Sequence, residues 1–378
     1  MNKETSCTSE KDLISADGRI LIIEVNLQED DSGSFFVKSV REKFVLTGKE
    51  RLSNYFYIGN SPASNLCFDA LSAGKNISDL PRRKKQVNRN TVYEVMKNQE
   101  GNKRIINLSN KNARISLELS DIDKLTGNNK TAKKLFVFTL IKANEQVIHN
   151  GGLTRDYISF SLEELVEIGF YKVLNSARTG FKSGMDTLTS MKIKGSLKST
   201  KTKRIEIESL EVLFTGARIN RGQCYVFFNP RINWNFLSQY FTILPKYYFK
   251  LSSKASDLIY YIFYLARQHI KQIDKNGYFT ISLRAVQHKL QLPNEKESNN
   301  PQRDIKDVIE NAIEEIEQEH SKYYKNTEFS ILPVYNEYGS ITDYLESGYL
   351  KIGLTGDFSG KFVEISKRKI KKTSDGHK

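Results

Sequence analysis

The chain has 378 residues, 39% of them apolar and 27% charged, a balance that allows buried cores and two or three domains. Its 58 Lys and Arg against 44 Asp and Glu leave a formal charge of +14, which either solubilises the protein or attracts a polyanion: nucleic acid, an acidic membrane surface or an acidic protein. No apolar run approaches a membrane span, the N-terminal MNKETSCTSEKD has no apolar signal core, and Cys7, Cys67 and Cys224 are too scattered for a disulfide ladder or metal cluster, so a cytoplasmic protein with no membrane partner is expected.

The first 103 residues read as a β-containing extension, partly disordered. Arg19–Asn26 and Ser34–Val40 have strand patterns, and the Asn-, Ser-, Gly- and Lys-rich text from about 60 to 103 has linker composition. Arg104–Leu108 and Ala113–Leu119 are the next strands. From about 128 the chain repeats itself. A helix over Lys130–Ala143 leads to a strand, Tyr157–Phe160. Ser161-Leu162-Glu163-Glu164 then has the Ser-x-x-Glu spacing of a helix N-cap. A longer helix from Ser176 to Met191 carries Ala177, Phe181, Met185 and Leu188 on one face. Strands follow at Lys192–Leu197, Arg204–Leu210 and Gln223–Phe228, with Gly216–Gly222 expected as a turn.

The second copy has the same grammar. A helix from Ser253 to Ile270 precedes the strand Tyr278–Ile281, and Ser282 caps a short helix to Leu290. After a loop, Pro301 opens a long helix with Ile305, Val308, Ile309, Ala312, Ile313 and Ile316 at helical spacing. Strands at Phe329–Tyr335 and Tyr349–Leu354 close it around a connection, Asn336–Ser347. Phe160-Ser161-Leu162 aligns with Ile281-Ser282-Leu283, and Phe181, Met185 and Leu188 with Ile305, Ile309 and Ala312. Helix, strand, helix, helix, hairpin is the order of a winged helix. The expected fold is therefore α+β: an N-terminal extension (1–103), two tandem winged-helix domains (104–245 and 246–362) and a basic tail (363–378).

In such a fold the second helix of the helix-turn-helix enters the major groove of DNA with its first residues against base edges. The first copy offers Ser176, Arg178, Thr179 and Lys182 there; Arg178 can present a two-pronged donor to guanine. Lys198, Lys201, Lys203 and Arg204, then Arg218 and Arg221 at the wing, extend the basic surface. Between 176 and 250, thirteen Lys and Arg face four acids (Asp186, Glu206, Glu208 and Glu211). The second copy offers Gln302, Arg303 and Lys306, followed by Glu310, Glu314, Glu315, Glu317 and Glu319. Either only its first turn enters a groove or it is chiefly a protein-contact unit. The tail run Lys367–Lys372 adds phosphate contacts or is a solvated end.

Catalytic constellations are missing from the text. The five histidines (His149, His269, His288, His320 and His377) form no His-x-His, which a metal-dependent nicking site with a tyrosine nucleophile would need, and Tyr260, Tyr261 and Tyr264 read as core. Gly48-Lys49 is followed by Glu50 and lacks the upstream glycine of a phosphate loop. No enzyme activity, cofactor or metal is expected.

The segment Tyr225–Pro230, a strand ending in Phe-Asn-Pro, is followed by Phe236-Leu237, Thr242, Lys250-Leu251-Ser252-Ser253-Lys254 and Leu258-Ile259-Tyr260. In order and spacing this resembles the hinge between the two winged helices of the initiator replication proteins of theta-type, iteron-bearing plasmids. Asn311-Ala312-Ile313-Glu314-Glu315-Ile316 resembles the core of that family's second long helix. The resemblance covers about 105–360. It implies binding of monomers to direct repeats in double-stranded DNA at an origin, opening of adjacent A+T-rich duplex, contact with host initiator or helicase proteins, and a monomer–dimer equilibrium in which dimers repress their own promoter. A winged-helix transcriptional regulator is the alternative, and a DNA-nicking enzyme of a mobile element a more distant one. Regulators usually pair one reading head with a ligand or dimer domain, so tandem heads favour the initiator.

Overall fold

Strand pairing divides the protein into small antiparallel sheets dressed by helices, an α+β architecture seen in a computed structural model. It describes residues 5–9, 19–29, 35–46, 55–60, 62–72, 85–88, 91–97, 104–109, 113–119, 122–150, 156–197, 205–229, 240–323, 329–335 and 339–354. These fall into two compact units, 1–55 and 56–378. The first is a three-stranded antiparallel meander of β1 (Thr5–Ser9), β2 (Arg19–Glu29) and β3 (Phe35–Leu46).

The second unit begins within β4 (Tyr55–Asn60) and continues with α1 (Pro62–Ser72), β5 (Lys85–Asn88), β6 (Thr91–Lys97), β7 (Arg104–Ser109), β8 (Ala113–Leu119) and α2 (Ile122–Asn150). The first repeat then runs β9 (Tyr157–Ser161), α3 (Leu162–Glu167), α4 (Leu174–Thr189), β10 (Met191–Leu197), β11 (Ile205–Val212), β12 (Phe214–Asn220) and β13 (Gln223–Phe228). After β14 (Tyr240–Pro245), which pairs with β4, come α5 (Ser253–Gln268), α6 (Ile270–Asn276), β15 (Tyr278–Ser282), α7 (Leu283–Lys289), a π-helical turn over Gln302–Asp307, α8 (Val308–Tyr323), β16 (Phe329–Val334), α9 (Ile341–Ser347) and β17 (Tyr349–Leu354).

The two repeats share one sheet plan and one register. In each, the strand before the short helix pairs with the last strand, which also pairs with its hairpin partner: β9-β13-β12 and β15-β17-β16. Ser161 faces Gln223 and Ser282 faces Tyr349, each the first residue of its closing strand. Leu162 N–H donates to Gly222 O at 2.9 Å, as Leu283 N–H does to Gly348 O at 2.9 Å. Phe228 N–H donates to Asp156 O and Leu354 N–H to Gly277 O, both at 2.7 Å. The caps match too, with Ser161 Oγ accepting from Glu164 N–H and Ser282 Oγ from Ala285 N–H. Each short helix ends in a left-handed residue, Gly169 (φ 77°) and Gln291 (φ 51°). Gly169 is required twice over, because a Cβ there would also meet Lys250 Cγ at 2.7 Å.

Several elements depart from the sequence reading. The 60–103 stretch, read as linker, holds α1, β5 and β6; α1 buries Cys67, Phe68 and Leu71 at helical spacing, and its Ser64 and Asn65 are buried as well, so polar composition here marks a packed face. Phe68 stacks on Tyr260 with ring centroids 3.8 Å apart, and Lys289 of α7 pairs with Asp69. The boundary expected at 103 cuts through a ladder, since Lys97 of β6 pairs with Arg104 of β7; β5 to β8 continue into β10 and β11 as one six-stranded sheet. Gly216–Gly222 is mostly strand β12, whose outer residue Arg218 pairs with Tyr225 while a bulge near Gly216 absorbs the glycine; only Arg221 and Gly222 turn. The connection before β17 contains α9, capped by Ser340 Oγ.

Buried lysines fasten the repeats together. Lys133 of α2 pairs with Asp257 of α5, and its ammonium also donates to Ser253 Oγ at 3.2 Å. Lys134 donates to the carbonyls of Phe249 (2.6 Å) and Leu251 (2.7 Å). Burial, with Lys130 and Lys133 nearby, holds the Lys134 pKa down at about 7 against the opposing pull of Glu315 and Asp257. Thus the Lys250–Lys254 motif is the seat on which the first repeat's helix rests. A boundary at 245 separates segments that share this core.

His320 of α8 is buried between the rings of Tyr247 and Phe329, its Nδ1 3.2 Å from the Tyr247 hydroxyl. Burial lowers its pKa from 6.5 to about 4. The unfolded chain therefore takes up this proton near pH 6.5 and the folded protein only near pH 4. Stability present above pH 6.5 is lost as the pH falls between these values, by about 3 kcal/mol in total. Urea midpoints measured across this window are expected to fall for the natural protein and to fall less for His320→Leu. Equal slopes for the two would assign the acid sensitivity elsewhere.

Candidate nucleic-acid interface

Helix α4 owes its position to Ala177, Phe181, Gly184, Met185 and Leu188, which are buried along one face; Phe181 meets Phe160 of β9 edge-on at 5.8 Å. The opposite face is open. Asn175, Ser176, Arg178, Thr179 and Lys182 are all exposed, and among the described residues Arg178 and Lys182 join no ion pair. The helix begins at Leu174, two residues earlier than the apolar spacing indicates, and its N-cap residue Val173 makes no side-chain cap. The first-turn N–H groups, the positive end of the helix dipole, thus face outward beside exposed Lys172. Val173 and Leu174 are 55% and 46% exposed. Donors and small apolar surfaces gathered at one helix start suit base edges and thymine methyl groups.

The β12–β13 hairpin stands beside this helix. Its two turn residues both have positive φ, Arg221 at 47° and Gly222 at 83°, as in the type I′ turns that match strand twist. Glycine is at home in that geometry, whereas a side chain there costs about 1–2 kcal/mol. Cys224, three residues beyond Arg221, is buried, and burial pushes its thiol up to about 12, with Glu163 adding to the rise and Arg178 opposing it. Arg218 lies elsewhere: it alternates with inward-facing residues, and its guanidinium stacks over Tyr225 (4.9 Å) and Phe227 (5.5 Å) on the sheet face turned away from α4.

In the second repeat the equivalent cations are engaged. Arg303 Nε bonds Asp304 at 3.0 Å, Lys306 lies 3.8 Å from Glu310, and the Gln302 amide donates to Asp307 at 3.4 Å. In place of a two-residue tip stands α9, with Asp343 and Glu346 exposed. Arg284 of α7 ties down α9 through Glu346 (3.4 Å) and the loop that follows α7 through Glu295 (2.8 Å). The acids of α8 are also occupied: Glu315 accepts from Ser252 N–H at 2.6 Å and Glu319 pairs with Lys322.

The structure thus places Ser176, Arg178, Thr179 and Lys182 exposed on α4, Arg221 at the hairpin tip, and Arg218 on the hairpin's stacked face. Gln302, Arg303 and Lys306 share a separate surface with acids among them. Lys198, Lys201, Lys203, Arg204 and the tail run 367–372 lie outside the described residues. Lys172, Val173, Leu174 and Asn175 were missed in the sequence because Ser176 looked like the helix start; the buried Ala177–Phe181 spacing, extended back one turn, would have found them. Among the described residues no cluster of three His, Cys, Asp or Glu could hold a metal ion, and no helix is long and apolar enough to cross a membrane.

No protein-family model matches this chain, and no curated protein matches it. Two solved structures similar to it in outline are both of domains 2 and 3 of RctB. A selenomethionine derivative gives a TM-score of 0.38 at 10% identity, covering 77% of this chain and 99% of that one. The second gives 0.36 at 9%, covering 75% and 96%.

Proposed function

We propose that this chain is a sequence-specific double-stranded DNA-binding protein built from two tandem winged helices, and that it serves as a replication initiator at directly repeated origin sites. The observation that carries the reading is the pair of register-matched repeats, the first of which presents Arg178 and Lys182, in no ion pair among the described residues, at an exposed helix start. Helix α4 enters a major groove, and the basic β10–β11 connection holds phosphates. The initiator role rests on the family resemblance, whose hinge residues Leu251, Ser252 and Ser253 lie where the two repeats are joined. Direct repeats, a monomer–dimer equilibrium and host initiator or helicase partners belong to the same proposal. The protein acts by binding: alone, it is expected to show no nuclease, ATPase or topoisomerase activity.

Footprinting of the purified protein on the DNA flanking its own gene is expected to reveal an array of protected direct repeats. With roughly six phosphate contacts, log affinity should fall against log salt with a slope of about −5. A slope near zero removes DNA from the account, and protection of a single operator over the promoter favours the regulator. Metal-dependent nicking of supercoiled origin DNA, abolished by one Tyr substitution, would overturn the non-catalytic reading.

A further inference from the structure

The segment that joins the repeats touches the turn before α4 on one side and α8 on the other. After Gly169, the N–H groups of Phe170 and Tyr171 both donate to Leu165 O, at 3.0 and 3.2 Å, which fixes the turn. The Phe170 ring lies 5.6 Å from Phe249 of the joining segment. Tyr171 stacks on Phe170 at 4.3 Å, and its hydroxyl end rests on Gly180 of α4, where a Cβ would meet it at 2.2 Å. The roll of α4 is therefore keyed to the turn, and the turn to Phe249. The second repeat grips the same segment through α8. Ser252 N–H donates to Glu315, the Tyr247 hydroxyl lies 3.2 Å from His320 Nδ1, and the Tyr247 ring lies 5.7 Å from Tyr323.

Lys250 spans both sides. Its stem passes over Gly169 so closely that a Cβ there would meet Cγ at 2.7 Å and Cε at 2.8 Å. Its ammonium donates to the Tyr323 hydroxyl at the end of α8 and lies 5.0 Å from the centre of that ring. The left-handed turn alone does not demand glycine, because Gln291 holds the matching position of the second repeat at φ 51°. What distinguishes Gly169 is the lysine stem above it. An exposed lysine gives up rotamer freedom when it is held, and this one is held at both ends.

We propose that Lys250 is a positioning residue that braces the turn carrying α4 against the end of α8, fixing the angle between the repeats and so the spacing of base pairs at which both engage one duplex. The buried Lys133–Asp257 pair fastens α2 to α5, whereas Lys250 acts from the exposed side, where the two reading heads meet the joining segment. This inference rests on the duplex-DNA reading and deepens it, and the first arm of its test needs no DNA.

Nitroxide labels at Asp186→Cys on α4 and Asn311→Cys on α8, both exposed, report the angle in the free full-length chain; Cys7→Ser removes a competing thiol, and buried Cys67 and Cys224 stay. Pulsed electron resonance is expected to give one narrow distance. Lys250→Met should broaden it at least twofold, and Tyr323→Leu should do the same although it removes no charge. Lys250→Arg should restore the narrow distance, since its guanidinium can also stack on Tyr323. A distance left narrow in Lys250→Met or in Tyr323→Leu overturns the proposal whatever the DNA results.

The second arm uses the footprinted site with one base pair inserted or removed between the contacts of the two heads, a change of about 3.4 Å and a tenth of a turn. The natural protein should bind the altered sites about tenfold more weakly, and Lys250→Met no more than about threefold. Equal weakening of Lys250→Met at every spacing, with a salt slope flatter by about one unit, would make Lys250 a phosphate contact and overturn the brace. A natural protein that binds duplex sites at every spacing alike leaves the DNA reading standing and this inference fallen. If it binds no duplex site at all, the broader reading falls first.

Discussion

Asp257→Ala is expected to destabilise the protein by about 3–5 kcal/mol, because it strands the Lys133 ammonium in the core between the two repeats. The remaining partner, Ser253 Oγ, is neutral and cannot balance a buried charge. Around it stand Phe68, whose ring lies 5.6 Å from the Lys133 ammonium, and half-buried Lys254, its pKa lowered through loss of solvent. The neighbouring carboxylate, Asp69, is already paired with Lys289. Replacing both partners with apolar residues, Lys133→Met with Asp257→Leu, should be nearly neutral or mildly stabilising, because desolvation of the pair then disappears with its attraction. Urea unfolding of the natural protein, Lys133→Met, Asp257→Leu and the double variant closes a double-mutant cycle that measures the coupling, with Asp257→Ala as a further single variant. A single-variant cost below about 1 kcal/mol would show that the pair does not fasten the repeats and that α1 packing does.

That junction was the least legible part of the sequence, and the reason is physical. Period and caps announce elements that bury one face: Ser161, Ser282, the Phe181–Leu188 stripe and the alternation of β13 and β17 all stand where the pattern put them. Lys133 and Lys134 look like solvated residues in a helix, since lysine burial depends on partners 115 to 124 residues away. Segment 62–72 reads as linker for a similar reason. Its Ser64, Asn65 and Asp69 are polar, and only the tertiary placement of Phe68 against Tyr260 makes it a packed helix. The repeat itself was legible because a strand register, once fixed by which face is buried, carries every later pair with it. Within the candidate site, charge pointed to the first surface but could not separate Arg218 from Arg221: three residues apart on a strand and its turn, they occupy a stacked sheet face and an exposed tip. Nor did it reveal that Arg303 and Lys306 have acids within reach.

Under the proposed DNA-binding function, those ion pairs set the expected difference between the two repeats. Arg178→Ala should cost about 1–3 kcal/mol in binding and relax preference at one base pair, as loss of a bidentate guanine contact does. Among the described residues its guanidinium joins no ion pair, and Lys182 one turn on adds favourable field. Arg303 starts from a different state. Its Nε is bonded to Asp304, Asn300 Oδ1 accepts from its backbone N–H at 3.2 Å, and the acids of α8 follow. To reach a base it must give up the Asp304 contact and bring that carboxylate toward the phosphates. Arg303→Ala should therefore cost less than Arg178→Ala, and any lost preference should lie about one duplex turn away, where a second head on the same DNA face would sit. Lys201→Ala and Lys203→Ala, in the β10–β11 connection, should weaken all sequences alike and flatten the salt slope by about one unit each. Binding of these four variants and of Asp304→Asn to a panel of substituted sites separates these outcomes. If Arg303→Ala leaves affinity and site preference unchanged while Asp304→Asn strengthens binding, the second head meets DNA through charge alone. If neither has any effect, its acid-rich helix start does not face the duplex, and base recognition rests with α4 and its wing.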